Sequence, residues 1–156
     1  MRIVLLLFLA LTACATPYQN MGFTGGVEAQ RMTADTYRIV ARGNGYTGAT
    51  TIQDYTMLKA AETTKQAGGT HFAIISAADA SRTGTVVTPG QAQTSVVGNM
   101  AFTTYSPAMA YSYVKPGQDT YIRVFTITPG KPTPQGLFSA DEIIQFVGAR
   151  VKRPAG

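Results

Sequence analysis

The chain has one cysteine, Cys14, directly behind an apolar stretch that opens with Ile3 to Ala10. A single thiol cannot form a disulfide within its own chain. The fold that follows must therefore stand on its hydrophobic core. Residues 14–156 are enough for one ordinary domain. Charged residues are few, 13% of the sequence, and scattered, and the formal net charge is +5. Arg150-Val151-Lys152-Arg153 is the only basic cluster. It reads as a solvated chain end, with anionic head groups or acidic polymers as the alternative contact.

Met1-Arg2, the apolar run and Leu11-Thr12-Ala13 have the marks of a secretory signal peptide. The run is too short to span a bilayer, which needs ~20 residues. A cysteine directly after Leu-Thr-Ala matches the bacterial lipobox. Cleavage is expected between Ala13 and Cys14, with a diacylglycerol on the thiol and an acyl group on the new amino terminus. The expected organisation is a signal peptide over 1–13, a lipidated flexible tether over 14–24 and a single domain over 25–156. Ala15 stands where an aspartate would favour inner-membrane retention. The expected location is thus the cell envelope, on the outer membrane, facing the periplasm.

Val27 to Arg31 and Thr36 to Arg42 alternate as half-buried strands and are close enough to form a hairpin across Thr33-Ala34-Asp35. Tyr37, Ile39 and Ala41 are expected on its core face. Ile52, Tyr55, Leu58 and Ala61 recur at helical spacing, with a capping box expected from Thr51 and Asp54 and a stop at Gly68-Gly69. Thr70 to Ser76 reads as an apolar, central strand. Ala78 to about Gly90 reads as a loose connection, within a mobile insertion near 78–107 that carries one short hairpin across Gly98-Asn99. A further hairpin is expected between 108–114 and 120–128, then a proline-rich linker. Ser139 and Glu142 predict a capping box for a short C-terminal helix. The order predicts an α+β fold: a mostly antiparallel sheet with one main helix and a short C-terminal helix on one face.

Chemistry is sparse. Gly43-Asn44-Gly45-Tyr46-Thr47-Gly48 spells the glycine pattern of a dinucleotide-binding turn, but the preceding strand alternates with arginines. Asp79, the acid after the next strand, also lies well past the usual ~20-residue spacing. The pattern reads instead as a tight turn needing positive φ angles. His71 is the sole histidine, so a histidine metal cluster cannot exist, and a Ser-His-Asp site would have to use it. No carboxylate pair has glycosidase spacing, and no basic stripe accompanies the aromatics, so no nucleic acid is expected as a partner. Glu62, one turn past Leu58, calls for a cation. Arg42 at the end of the second strand is the expected partner, ahead of Arg38. No catalytic residue, cofactor or metal is expected.

Gly25-Gly26, Tyr37-Arg38-Ile39-Val40, Arg42-Gly43-Asn44-Gly45-Tyr46-Thr47, Asp54-Tyr55 and Leu58-Lys59-Ala60-Ala61-Glu62, then Gly69 and Phe72, together form a pattern. It resembles a family of small proteobacterial lipoproteins, common in alphaproteobacteria and without an established activity. The resemblance runs from Gly25 to about Ile75. It implies localisation and fold more than function, and it makes Arg42, Asn44, Tyr46 and Glu62 the candidate structural or binding cluster. The expected role is a lipid-anchored structural or interaction module contacting an envelope protein or the cell wall. The alternatives are a periplasmic hydrolase-like enzyme built on His71 and a carrier of a small ligand or lipid.

Overall fold

The computed structural model describes residues 15–154, so the cleavage and lipidation positions Ala13 and Cys14 lie outside the described residues. Strands β1 (Gly26–Arg31) and β2 (Thr36–Arg42) form the expected antiparallel hairpin. Its turn is closed by side chains. Asp35 accepts from the hydroxyls of Thr33 and Thr36 at 2.9 and 3.0 Å. Those bonds, helped by Arg123, hold its carboxyl below the usual range.

Helix α1 (Ala49–Gln66) buries Ile52, Tyr55, Leu58 and Ala61, the face that the spacing predicts. The buried hydroxyls of Thr56 and Thr64 donate to the carbonyls one turn back. The expected capping box does not form. The helix begins at Ala49, so Thr51 already lies inside the first turn, and Gly48 caps it without a side-chain bond. Past the C-cap Ala67 the chain turns away at Gly68, whose φ of +78° favours glycine. At Gly69 a Cβ would lie 2.3 Å from Val124 Cγ1, so only glycine lets the chain re-enter the sheet this closely.

Strand β3 (His71–Asp79) returns to the sheet. Its neighbours are β8 (Gly117–Phe125) and the short β9 (Leu137–Ser139). The sheet order is β1-β2-β8-β3-β9, antiparallel throughout. Helix α2 (Ala140–Phe146) follows, capped by Ser139, whose hydroxyl accepts from the Glu142 amide as expected. Ile39, Ala41, Phe72 and Ile122 of the sheet are fully buried, as are Leu58, Ala61 and Ala140 of the helices. The fold is α+β, a mostly antiparallel sheet with one internal and one C-terminal helix.

Four expectations need correction. First, residues 15–24 are not a free tether. Thr16 is 1% exposed and Tyr18 is 6% exposed. The Tyr55 hydroxyl donates to the Thr16 carbonyl, and the Tyr18 amide to that of Lys152. Polar bonds to a distant loop and helix, invisible to local periodicity, hold this segment down. Second, β3 lies inside the sheet between β8 and β9, as a central strand should, but its apolar run is not buried: Ile74 and Ile75 are exposed, and the register shifts between Ile74 and Ser76. Third, the connection expected from Ala78 to Gly90 is strand. Residues 82–115 carry β4 (Arg82–Thr88), β5 (Gln91–Val97), β6 (Met100–Ser106) and β7 (Met109–Lys115). The hairpin across Gly98-Asn99 is present, with Val97 opposite Met100. Fourth, β7 and β8 do not pair with each other. β7 pairs with β4, while β8 pairs with β2 and β3. Pro116 separates them, and its carbonyl accepts from the Gly43 amide.

The two ends of the described chain meet on α1. Tyr18 packs edge-on against Tyr55 and donates its hydroxyl to Glu62 at 2.5 Å. Burial, then this bond, push the Tyr18 phenol well above its ordinary value of 10. A raised value means stability that is complete below pH 10 and is lost as the pH climbs beyond it. Tyr18→Phe should cost about 1–2 kcal/mol at neutral pH. It should also remove the part of the alkaline loss that belongs to this phenol. Denaturant unfolding on both sides of pH 10 measures this, and parallel pH profiles for the two proteins would refute it.

Candidate functional site

The predicted cluster divides into two places. Arg42 closes β2, and its guanidinium reaches Asp119 on the adjacent β8 at 2.7 Å. That contact is an ion pair whose angle departs from a hydrogen bond, since Asp119 Oδ1 has no hydrogen-bond partner. Arg42 Nη1 also donates to the carbonyls of Ala41 and Gln118. The expected Arg42–Glu62 couple is therefore absent. Arg42 lies on the sheet face away from α1, the side from which Asp119 approaches in register with Val40. Glu62 instead accepts from Tyr18 and pairs with Arg153 at 2.7 Å. Arg38, the other arginine considered, bonds Gln30 across the hairpin.

Asn44 builds the loop after β2. Its side-chain oxygen accepts from the Tyr46 amide at 3.0 Å and the Thr47 hydroxyl at 2.9 Å. This is an Asx turn. Its backbone amide donates to the hydroxyl of Thr16, and the Thr16 amide donates to Thr47. The loop is thus the socket that holds the N-terminal segment. Tyr46 points to solvent, 77% exposed. Positive φ is not what its glycines supply, because Gly43, Gly45 and Gly48 are absent from the positive-φ glycines. Closeness is the reason instead. A Cβ at Gly43 would lie 2.8 Å from Thr47 Cβ, and one at Gly45 would lie 2.5 Å from the Tyr113 ring.

Arg42 and Asn44 line a cleft of about 460 Å³ together with Phe23, Arg82, Lys115 and Pro116. Of its three cationic residues Arg42 is already paired with Asp119, which leaves Arg82 and Lys115 to favour an anionic group. It sits at the root of the β4–β7 pair, beside the segment that leads back to Cys14.

His71 is elsewhere. It pairs with Phe125 at the opposite end of β8 from Arg42, and its Nδ1 lies 2.9 Å from the Thr70 hydroxyl. His71, Glu62 and Arg42 do not converge. Among the described residues no group of three His, Cys, Asp or Glu is placed to hold a metal, and no helix is long and apolar enough to cross a membrane. The basic end is not simply solvated: Arg150 makes a two-point contact with Asp54 at 2.6 and 2.7 Å, and Arg153 stands over the Tyr18 ring.

Sequence reasoning missed the largest feature. From Thr83 to Val114 there is no Asp, Glu, Lys, Arg or His, while Arg82 and Lys115 face each other at the base. The signal was an absence of charge. No protein-family model, no curated protein sequence and no solved structure matches this chain.

The Arg42–Asp119 pairing has a direct check. A double-mutant cycle with Arg42→Met and Asp119→Asn should show coupling of roughly 0.5–3 kcal/mol, whereas Arg42→Met with Glu62→Gln should be additive within ~0.5 kcal/mol. The reverse pattern would mean that Arg42 serves α1 after all.

Proposed function

We propose that this protein is a lipid-anchored interaction module of the cell envelope. It would be held to the outer membrane through acylated Cys14 and act by contact rather than catalysis. The observation that carries the reading is the arm of β4 to β7, which beyond its root stands off the domain with both faces and both edges uncovered and with no charge between Arg82 and Lys115. A two-stranded ribbon is at best marginally stable alone. Uncovered apolar surface of this extent marks an interaction site.

Position supports the anchor. Thr16, two residues after Cys14, is buried against the 43–47 loop, and Gly45 of that loop touches Tyr113 of the arm. An acyl chain on Cys14 would hold this end of the domain against the bilayer, and the arm leaves from the same end. Several acyl chains anchor stably, since each buried CH₂ contributes ~0.8 kcal/mol. The basic cleft at the arm's root would then face anionic head groups.

Metabolic labelling with palmitate tests the reading. The native chain should be labelled and shortened. Cys14→Ser should lose the label and accumulate as precursor, and normal processing of that variant would overturn the anchor.

A further inference from the structure

The arm is one ribbon. Arg82↔Lys115 to Thr88↔Met109 and Gln91↔Ser106 to Val97↔Met100 keep a single register, with two residues on each side between the halves. At ~3.3 Å per residue the ribbon from Arg82 to Val97 reaches roughly 50 Å. In the body, β8 and β3 have neighbours on both sides. In the arm each strand has one neighbour, so each outer edge carries a row of unpaired amides and carbonyls.

Natural proteins blunt such edges with lysines, bulges or covering elements. Beyond the Arg82–Lys115 pair at its root, this arm has none of these along its paired residues. Its prolines, Pro89 and Pro107, sit in the break between the halves, where neither interrupts a ladder.

The faces point the same way. On one face of the root half, Val86 pairs with Tyr111 and Gly84 with Tyr113. The ring of Tyr113 covers Gly84, where a Cβ would come within 2.5 Å of it. In the outer half Ala92 pairs with Tyr105, and Thr94 with Thr103, whose hydroxyls are 2.9 Å apart. The equal two-residue break preserves the alternation, so Tyr105, Tyr111 and Tyr113 share one face. The opposite face mixes polar pairs, Thr85 with Ser112 and Gln93 with Thr104, with exposed apolar ones, Val87 with Ala110 and Val97 with Met100. Val96 and Tyr105 are 71% and 69% exposed. With aromatics worth ~150–250 Å² each, the arm leaves on the order of 1,000 Å² of apolar side chain bare. That exceeds the few hundred Å² of a typical monomer patch.

We infer that the occupant of the arm's edges is a second copy of this chain: arms pair edge to edge, the β4–β5 edge of one copy against the β6–β7 edge of the next. The inference rests on the anchored reading above. Copies held to one membrane by the same end stand the same way up. In parallel hairpins the outgoing strand of one then lies beside the returning strand of its neighbour, so the pairing is antiparallel without any turning over. The contact is head to tail, and only a closed ring leaves no open edge. Lipid alone cannot occupy the edges, because it offers the unpaired amides and carbonyls no partner. A globular protein on one face would leave both edges open. Another copy matches the arm in length and in alternation.

Disulfide trapping in native membranes tests this. Two differently tagged full-length chains are co-expressed, one with Gln93→Cys and one with Thr104→Cys, and palmitate labelling is followed in parallel. Chains with no introduced cysteine report any free thiol at Cys14. Mixed-tag dimers should form, and Ser95→Lys with Thr103→Lys, both at exposed positions, should reduce them at least fivefold while leaving the fold unchanged. Palmitate label without mixed dimers overturns self-pairing and leaves the anchor standing. Mixed dimers without label uphold self-pairing and overturn the anchor. Dimers of like tags alone overturn the head-to-tail order. Trapping only to a different envelope protein, or thiols shielded by phosphatidylethanolamine–phosphatidylglycerol vesicles with no dimers, overturns the inference as well.

Discussion

Strand β8 is what the sheet depends on. It is hydrogen-bonded to β2 along one edge and to β3 along the other, and β2 and β3 have no direct pairing. The first hairpin and helix can form locally, but the sheet is two unconnected pieces until Gly117–Phe125 arrives. Pairing over so many residues is slow to find, since loop closure must precede the contacts that reward it. Ile122 and Thr120, on the helix-facing side of β8, then complete the layer beneath α1.

The same demand creates the arm. The chain leaves the sheet along β3 and must return antiparallel to it along β8. Everything between is an excursion that starts and ends at one edge of the domain. Ala80 and Gly117 remain hydrogen-bonded at the exit, so the ladder of the body runs into the ladder of the arm. The domain thus presents a root with three cationic residues and, beyond it, a ribbon without charge. Thr16 is locked into the 43–47 loop at that same root, so the proposed anchor and the arm share one end of the molecule.

Much of the body was legible. The hairpin of Val27 to Arg42, the buried stripe of α1, the stop at Gly68 and the Ser139 cap each follow from spacing or backbone preference within a few residues. The candidate cluster was legible only in part. Arg42 and Asn44 do line one cleft, but Glu62 belongs to Tyr18 and Arg153. Pairing Glu62 with Arg42 assumed that a strand arginine would reach the helix. The pleat sends Arg42 to the other face, and a residue near the far end of the chain supplies the cation instead. Residues 15–24 looked like a tether because they have no period, yet hydrogen bonds with Tyr55, Thr47 and Lys152 fix them.

By itself the sequence determined the local elements and the α+β class, because helical spacing, strand alternation and glycine stops act between near neighbours. The lone Cys14 removed disulfides from the outset. Tertiary structure decided which strands meet. Aromatic strands flank Pro116, and nothing in their composition says that β7 turns back to β4 while β8 crosses to β2. That choice is made where backbone amides and carbonyls must all be paired at once across the sheet. It also decided that the uncharged stretch from Thr83 to Val114 would stand outside the body as a ribbon. The body's apolar layer is already closed by Ile39, Phe72, Ile122 and α1, and leaves those residues no interior to enter.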